Sequence, residues 1–312
     1  MDIEYLLFLQ NFRISINDAL TPFMEFISFF AIRWAYFLPA FLYWCISKKK
    51  GLYVLSSLSV SLWLNGLIKL TACVYRPWIK DSRIVPAGDA IKIAGGYSFP
   101  SGHTMTATPI YGGLAVCSKK TFSKIFWVVL VLLTGFSRNY LGVHTPQDVL
   151  VGLICGTFAL YVVAKIFKYL DDNPQKENLF LLIGVVLWVA AIAYVKLKSY
   201  PMDYDVNGKL LVKPESMQNS SLGDLSYILG LILGRYVEKN WVKFTPTGFN
   251  FKGIILCVIG LAIYGFIIFY VKDFIFKTIG VPCGRVVYST FSMFFVVALY
   301  PLIIKMFSKK QA

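Results

Sequence analysis

Nine apolar runs, each close to the length that crosses a bilayer, limit this chain to one class of fold. A spanning helix needs about 20 mostly apolar residues for a hydrocarbon core about 30 Å thick. Long continuous runs argue against a β-barrel, whose strands alternate over about ten residues. We therefore predict an all-α, polytopic transmembrane helical bundle of about nine spans. The runs cover residues 23–46, 52–72, 102–118, 125–142, 147–167, 179–197, 222–237, 254–271 and 286–306.

The composition excludes the main alternatives to a membrane protein. Hydrophobic residues make up 57% of the chain and charged residues only 15%, whereas about 25% of the residues in a soluble domain are charged. So much apolar surface also excludes a disordered chain. The runs at 102–118 and 222–237 are the weakest spans, because they are short and contain Gly, Thr or Ser.

Basic residues are distributed unevenly between the loops. If the amino terminus lies outside the cytoplasm, the inner loops carry sixteen Lys and Arg residues against four acidic ones, and the outer loops are nearly balanced. This asymmetry follows the positive-inside rule and predicts both the span count and the orientation. Anionic lipid attracts such charges, so the location of these residues accounts for most of the net charge of +15. We therefore predict no nucleic-acid partner. The inner set is Lys48, Lys49, Lys50, Lys119, Lys120, Lys124, Lys165, Lys168, Lys176, Arg235, Lys239, Lys243, Lys252, Lys305, Lys309 and Lys310.

Residues 1–22 are predicted to form an interfacial segment. The start, Met1-Asp2-Ile3-Glu4, is acidic where a secretory signal is basic, and residues 5–16 mix apolar and polar side chains before a break near Asn17-Asp18. The six cysteines are scattered without metal-binding spacing. Whether Cys73 and Cys283 pair is left open by the sequence.

Two polar clusters lie beside the second and third runs. Lys69 and Arg76, seven residues apart, are predicted to share one helix face, and the helix is predicted to end at Pro77. Two stacked cations indicate either an anion site or side chains that reach the lipid headgroups. Before the third run, Ser101 is a good helix cap, Gly102 allows close backbone approach, and His103 points toward the same space.

A third cluster begins at Ser137-Arg138 and continues to His144 and Asp148. Thr145, Pro146 and Asp148 have the chemistry of a helix start. Asp148 is therefore placed to accept the Nδ1 proton of His144, which leaves Nε2 basic. A structural cap is the alternative interpretation of this pair. If all three clusters open on the outer face, their cations and histidines suit a phosphoryl group.

The fixed residues of these clusters match a known signature without a gap. Lys69-x6-Arg76-Pro77, Pro100-Ser101-Gly102-His103 and Ser137-Arg138-x5-His144-x3-Asp148 resemble the three-part motif of the type 2 phosphatidic acid phosphatase superfamily. That group includes lipid phosphate phosphatases, glucose-6-phosphatase and vanadium haloperoxidases. The resemblance covers about residues 23–170 and implies a helical core that hydrolyses phosphate esters with neither a metal nor another cofactor.

The resemblance also implies a role for each motif residue. His144 would be the nucleophile that forms a phosphohistidine, Asp148 would orient it, and His103 would protonate the leaving oxygen. The phosphoryl oxygens would be bound by Lys69, Arg76, Ser101, Gly102 and Arg138. Independently of the resemblance, a binuclear metal site would need more carboxylates than Asp148 alone; Asp81 and Asp89 are loop acids without an assigned role.

The chain departs from many lipid phosphatases of this group after residue 170. We divide it into a 1–22 segment, a 23–170 phosphatase core of six helices and a 171–312 extension of three membrane helices. Nine spans resemble glucose-6-phosphatase, which leaves the substrate class open. An outer loop at 198–221 either connects two helices or covers the site and contacts a polar substrate. The residues assigned to it are the acids Asp203, Asp205, Glu215 and Asp224 and the aromatic residues Tyr200 and Tyr204.

The leading expectation is a phosphatase that acts on a lipid phosphate or polyprenyl diphosphate at the outer face of a bacterial plasma membrane. Trp78 and Tyr97 suit a binding region at headgroup level. The alternatives are hydrolysis of a soluble sugar phosphate, phosphate transfer to an acceptor other than water, and a transporter or structural protein. Arg33 lies about two turns from Glu25 in the first run, and we predict that it pairs with another helix rather than lines a transport path.

Overall fold

Helices account for most of this computed structural model, which describes residues 2–308. Lys309 and Lys310 of the inner basic set lie outside the described residues. Within 2–308 the β-structure is limited to one isolated bridge, between Tyr204 and Leu210. The helices are α1 (Asp2–Ser15), α2 (Thr21–Arg33), α3 (Phe37–Phe41), α4 (Lys48–Ala72), α5 (Pro77–Lys80), α6 (Ala90–Ile93), α7 (Gly102–Ala107), α8 (Gly113–Cys117), α9 (Thr121–Tyr140), α10 (Pro146–Asp172), α11 (Glu177–Leu197), α12 (Pro214–Val237), α13 (Phe251–Phe266), α14 (Lys272–Ile279), α15 (Val281–Phe294) and α16 (Tyr300–Ser308).

Several of these helices continue into one another through a π-helical turn. Such turns join α7 to α8, α13 to α14 and α15 to α16, and two more follow α3 and α12. The combined α7–α8 rod covers 16 residues from Gly102 to Cys117, or about 24 Å at 1.5 Å per residue. That length is shorter than the hydrocarbon core of a bilayer.

The all-helical membrane fold is confirmed, but the predicted count of nine spans is not. Six helical segments within 2–308 are long and apolar enough to cross a membrane, and a seventh is formed if α2 and the bent 37–46 segment count as one span. The two segments that fail are α7–α8, which is too short, and α12, which is too polar; they correspond to the two weakest runs of the sequence.

The end of α4 differs from the prediction. The helix ends at Ala72, and Cys73 adopts a left-handed conformation with φ of 48°. Arg76 is extended and caps the short helix α5, which starts at Pro77. Lys69 and Arg76 therefore do not share one helix face. Proline disfavours helical backbone in the residue before it, and residues 73–76 form a bend that turns Arg76 back toward the bundle.

The outer loop is shorter than predicted, because α12 begins at Pro214 and not near residue 222. Only residues 198–213 connect α11 to α12, and Glu215, which was assigned to the loop, consequently lies in the helix together with Asp224. Asp203 accepts a hydrogen bond from the Tyr75 hydroxyl, with a distance of 2.6 Å between oxygens. This contact ties the loop to the bend that follows α4.

Helix α12 packs against α4, α11 and α15, so the C-terminal helices adjoin the helix that carries Lys69. Two apolar clusters fill these contacts. One surrounds Trp44 and Tyr300 between α3 and α16, and the other joins Leu70 and Tyr97 to Leu225 of α12. At the amino terminus, α1 ends near the predicted break at 17–18. All six cysteines are free, so Cys73 and Cys283 do not pair.

Candidate active site

His144 lies in the tight turn between α9 and α10 and is almost completely buried. The turn is held at the α10 end by a capping box: Asp148 N donates to Thr145 Oγ1, and Thr145 N donates to Asp148 Oδ2. This cap confirms the helix start predicted from Thr145, Pro146 and Asp148. On the other side, the Asn139 amide donates to the His144 carbonyl at 2.9 Å.

The partners of the imidazole determine which of its nitrogens carries the proton. Arg76 Nη1 lies 2.9 Å from His144 Nε2, and a guanidinium can only donate. His144 Nε2 must therefore be the unprotonated nitrogen. The proton then lies on Nδ1, which is 3.2 Å from Asp148 Oδ2 and 3.3 Å from Ser98 Oγ.

Charge and burial keep this ring neutral. Burial has the largest effect, and the positive charges of Arg76, Arg138 and Lys69 add to it; together they lower the pKa of His144 well below its ordinary value. A neutral imidazole with a free lone pair on Nε2 is the form that can attack phosphorus.

The Ser101–His103 turn meets the His144 turn directly, since Ser101 N donates to the Asp148 carbonyl at 3.0 Å. Ser101 caps α7, its hydroxyl accepting from Thr104, as the sequence predicts. A Cβ on Gly102 would meet only the Asn65 amide, at 3.8 Å, so the space beside Gly102 is open. The His103 imidazole has no hydrogen-bond partner among residues 2–308, and it faces a cavity together with Arg138.

The three predicted phosphate-binding cations are all buried, but their contacts differ. Lys69 Nζ donates to the carbonyls of Tyr97, Ser98 and Pro100, at 3.3, 3.2 and 2.7 Å. An ammonium has three donors, so this side chain holds the segment that leads into Ser101.

Arg76 and Arg138 are the cations nearest to the two histidines. The Arg76 guanidinium binds the carbonyls of Gly95, Gly96 and Val143 in addition to His144. Arg138 Nη1 donates to the Ser28 hydroxyl, and its Nε is a buried donor without a partner in the described chain. With Lys69, they give the site three buried cations beside the buried carboxylate of Asp148, an excess that favours an anion.

A cavity of about 370 Å³ opens beside His103 and Arg138. One wall is α2, which presents Phe26, Phe29 and Ile32 together with Glu25, and α6 adds Asp89 and Ala90 at the rim. Glu25 accepts a hydrogen bond from Asp89 N at 2.7 Å, whereas Arg33 lies over the rings of Phe29 and Phe269. Arg33 and Glu25 therefore do not contact each other, and each finds a partner on another segment of the chain.

Sequence reasoning missed two side chains that complete the site. Ser98 donates to Asp148 Oδ2 at 2.5 Å and thereby supports the carboxylate that orients His144. Ser28 of α2 binds Arg138 across 110 residues of chain. The position of Ser98, three residues before Ser101, was a weak indication that it belongs to the site. No feature of the neighbouring sequence distinguishes Ser28 from other serines in the membrane helices.

The two aromatic residues assigned to the headgroup region have different environments. The Arg76 guanidinium lies 5.8 Å from the centre of the Trp78 ring. Tyr97 is fully buried in the cluster with Leu70, so its ring is covered by protein. Across the described part of the chain, no group of three His, Cys, Asp or Glu side chains is arranged to hold a metal ion.

The arrangement is suited to the transfer of a phosphoryl group. It combines a neutral nucleophilic nitrogen oriented by a carboxylate, a second imidazole facing the cavity, and buried cations that can neutralise charge developing on phosphoryl oxygens.

Comparison with known proteins identifies the family. Residues 50–172 match the sequence profile of the PAP2 superfamily. Phosphatidylglycerophosphatase B of Bacillus subtilis (strain 168) is 33% identical over 120 residues, which cover 36% of this chain and 58% of that protein. Undecaprenyl-diphosphatase BcrC of the same organism is 34% identical over 166 residues, covering 50% of this chain and 77% of that protein.

A eukaryotic relative is also similar. Glucose-6-phosphatase catalytic subunit 1 of Haplochromis nubilus is 27% identical over 208 residues, covering 55% of this chain and 58% of that protein. The chain thus spans less than two thirds of the first and third of these relatives. No solved structure gave a significant match. The profile match across all three motifs, and the similarity over most of the undecaprenyl-diphosphatase, show that this chain belongs to the PAP2 superfamily.

Proposed function

We propose that this protein is a membrane phosphatase that hydrolyses a lipid phosphate or a polyprenyl diphosphate through a phosphohistidine on His144. The observation that carries the proposal is the hydrogen bonding of His144: Arg76 occupies Nε2 as a donor while Asp148 accepts from Nδ1. That pattern prepares Nε2 as a nucleophile in a pocket with excess positive charge. The phosphatase names of the relatives support the same activity.

The proposed reaction has two steps. His144 Nε2 forms a bond to phosphorus while the bond to the leaving oxygen breaks, and His103, protonated once the anionic substrate is bound, transfers one proton to that oxygen and becomes neutral. A water molecule then attacks the phosphohistidine, the P–N bond breaks, and His103 takes the proton from water. Asp148 remains ionised and stabilises the positive charge on the phosphorylated ring.

The buried cations and the helix start have electrostatic roles in this scheme. Arg76 moves from His144 Nε2 to a phosphoryl oxygen when substrate enters, and the unpaired Nε of Arg138 offers a second donor. Ser101 and Gly102 contribute the amino end of the α7–α8 rod. Lys69 acts through its charge and through the carbonyls that it holds in place. No metal ion is required for any of these contributions.

The cavity wall favours a lipid substrate. Phe26, Phe29 and Ile32 of α2 offer apolar contacts to the part of a substrate next to its phosphate. Glu25 and Asp89 at the rim, together with the similarity to glucose-6-phosphatase, favour the second candidate, a sugar phosphate whose hydroxyls would bind the carboxylates.

A substrate panel on the purified protein tests these proposals. We expect phosphate release from phosphatidic acid, undecaprenyl diphosphate or phosphatidylglycerol phosphate to exceed release from glucose 6-phosphate, and we expect EDTA to leave the rate unchanged. Preferred hydrolysis of glucose 6-phosphate would establish the second candidate. Activity that EDTA abolishes and one divalent cation restores would contradict a metal-free mechanism, and no hydrolysis of any substrate would contradict the phosphatase proposal.

We also propose that the site faces the outside of a bacterial plasma membrane. Lys49 pairs with Asp171 at the end of α10, and Lys50 donates to Cys117 at the end of α8, so the inner basic residues gather at the amino end of α4. Lys69 lies near the other end of this helix, which is about 37 Å long at 1.5 Å per residue. The positive-inside rule then places the basic end in the cytoplasm.

An epitope tag tests this orientation. Inserted after Asn207 in the exposed 198–213 loop, the tag is expected to bind antibody on intact cells. A tag after Lys120, at the basic end, should bind only after permeabilisation. The reverse pattern would place the site on the cytoplasmic side.

A further inference from the structure

A carboxylate from outside the family-matched region contacts the helix that carries Lys69. Asp224 of α12 accepts a hydrogen bond from the Asn65 amide of α4 at 2.8 Å. Asn65 is almost fully buried, with 4% of its surface exposed. The profile match ends at residue 172, so α12 supplies a polar contact that the matched region lacks.

Asn65 connects this carboxylate to the candidate active site. It lies one helical turn before Lys69, on the same face of α4. Its amide is the group nearest to the open side of Gly102, and its Oδ1 is a buried acceptor without a partner in residues 2–308. A buried polar side chain of this kind is held in a single orientation by the one hydrogen bond it makes.

Asp224 also acts on the charge of the site. It is hydrogen-bonded to Asn65, which lies one helical turn from Lys69, so its negative charge lies in the neighbourhood of the Lys69 ammonium. Glu25 and Asp89 lie at the rim of the cavity on the α2 side. Asp224 thus lowers the positive potential of the site from the side of α12, where it contacts Asn65.

We propose that Asp224 is a positioning residue that keeps Asn65 beside Gly102 and limits the positive potential around Lys69, so that phosphate leaves the site after hydrolysis. The inference rests on the proposed phosphatase function. The cations that stabilise the transition state also attract the product, inorganic phosphate, which is an anion. A nearby carboxylate weakens product binding, and product release limits turnover in many enzymes.

Asp224→Asn separates the effect of the negative charge from the effect of the hydrogen bond, because asparagine retains an oxygen that can accept from the Asn65 amide. We expect the inhibition constant of inorganic phosphate to fall about tenfold, the size expected for one unit charge acting at roughly 10 Å through a protein interior, and kcat to fall with it. Glu215→Gln is the matched control, since it removes one negative charge from an exposed position of the same helix. Its inhibition constant should remain within about twofold of wild type, because solvent screens an exposed charge.

The sign of the change separates this role from a structural one, since a distorted site would bind phosphate more weakly. Unchanged or weaker phosphate inhibition in a folded Asp224→Asn protein overturns the proposal. The double variant Asn65→Asp with Asp224→Asn moves the carboxylate across the same hydrogen bond to a position beside Gly102, so the inhibition constant should return to the wild-type value or rise above it. If Asp224→Asn cannot be recovered folded, the double variant carries the test, and an inhibition constant below the wild-type value overturns the proposal. A wild-type protein without hydrolysis or phosphate binding would instead contradict the proposed function.

Discussion

His144→Ala is expected to lower kcat by at least about 10⁴-fold, because it removes the nitrogen that we propose as the nucleophile. Such a loss corresponds to about 5 kcal/mol of transition-state stabilisation. The measurement is phosphate release from the best substrate of the panel. A second readout is an acid-labile label from radioactive substrate, which should be present in the wild type and absent in the variant.

Gln147→Ala is the control for this variant. Gln147 is exposed in the first turn of α10, three residues from His144, so its truncation should leave both activity and labelling close to wild type. Both proteins should elute as folded species in detergent. A His144→Ala protein that still forms the labelled intermediate would remove His144 from the nucleophile role.

Asp148→Asn is expected to lower kcat by about 10³- to 10⁴-fold, as the loss of an orienting carboxylate does in serine-protease triads. The substitution keeps the shape of the side chain but removes the negative charge. Asp148 Oδ2 accepts from His144 Nδ1, Ser98 Oγ and Thr145 N. Without the charge, the ring loses the partner that stabilises its positive phosphorylated form.

Two further variants show whether Asp148 acts through His144. In a His144→Ala background, Asp148→Asn should cause almost no further loss, because residues that act as one unit are not additive. Ser98→Ala removes one donor but leaves the carboxylate, so we expect a milder loss of about tenfold, the size of one hydrogen bond to a charged group. Additive losses in the double variant would mean that Asp148 has a role independent of His144.

Features carried by neighbouring residues could be predicted from the sequence. The apolar runs predicted membrane helices because a span is a local property of about 20 residues. The caps at Ser101 and Thr145 were predicted because a capping side chain bonds to backbone only two or three residues away. The three motifs identified the family before any geometry was known, because their fixed residues and spacings match the signature.

The contacts between distant segments depended on tertiary packing. The bend of 73–76 turns Arg76 onto His144, α2 brings Ser28 to Arg138, and α12 brings Asp224 to Asn65. Each of these pairs is separated by 68 to 159 residues, and residue spacing carries no information about which helix faces meet. Lys69 was predicted to bind phosphate from its charge, but its three backbone partners depend on the path of residues 97–100. Local hydrogen-bonding and hydrophobic patterns therefore define the helices and motifs of this protein, whereas helix packing decides which buried charges and hydrogen-bonding groups meet in the site.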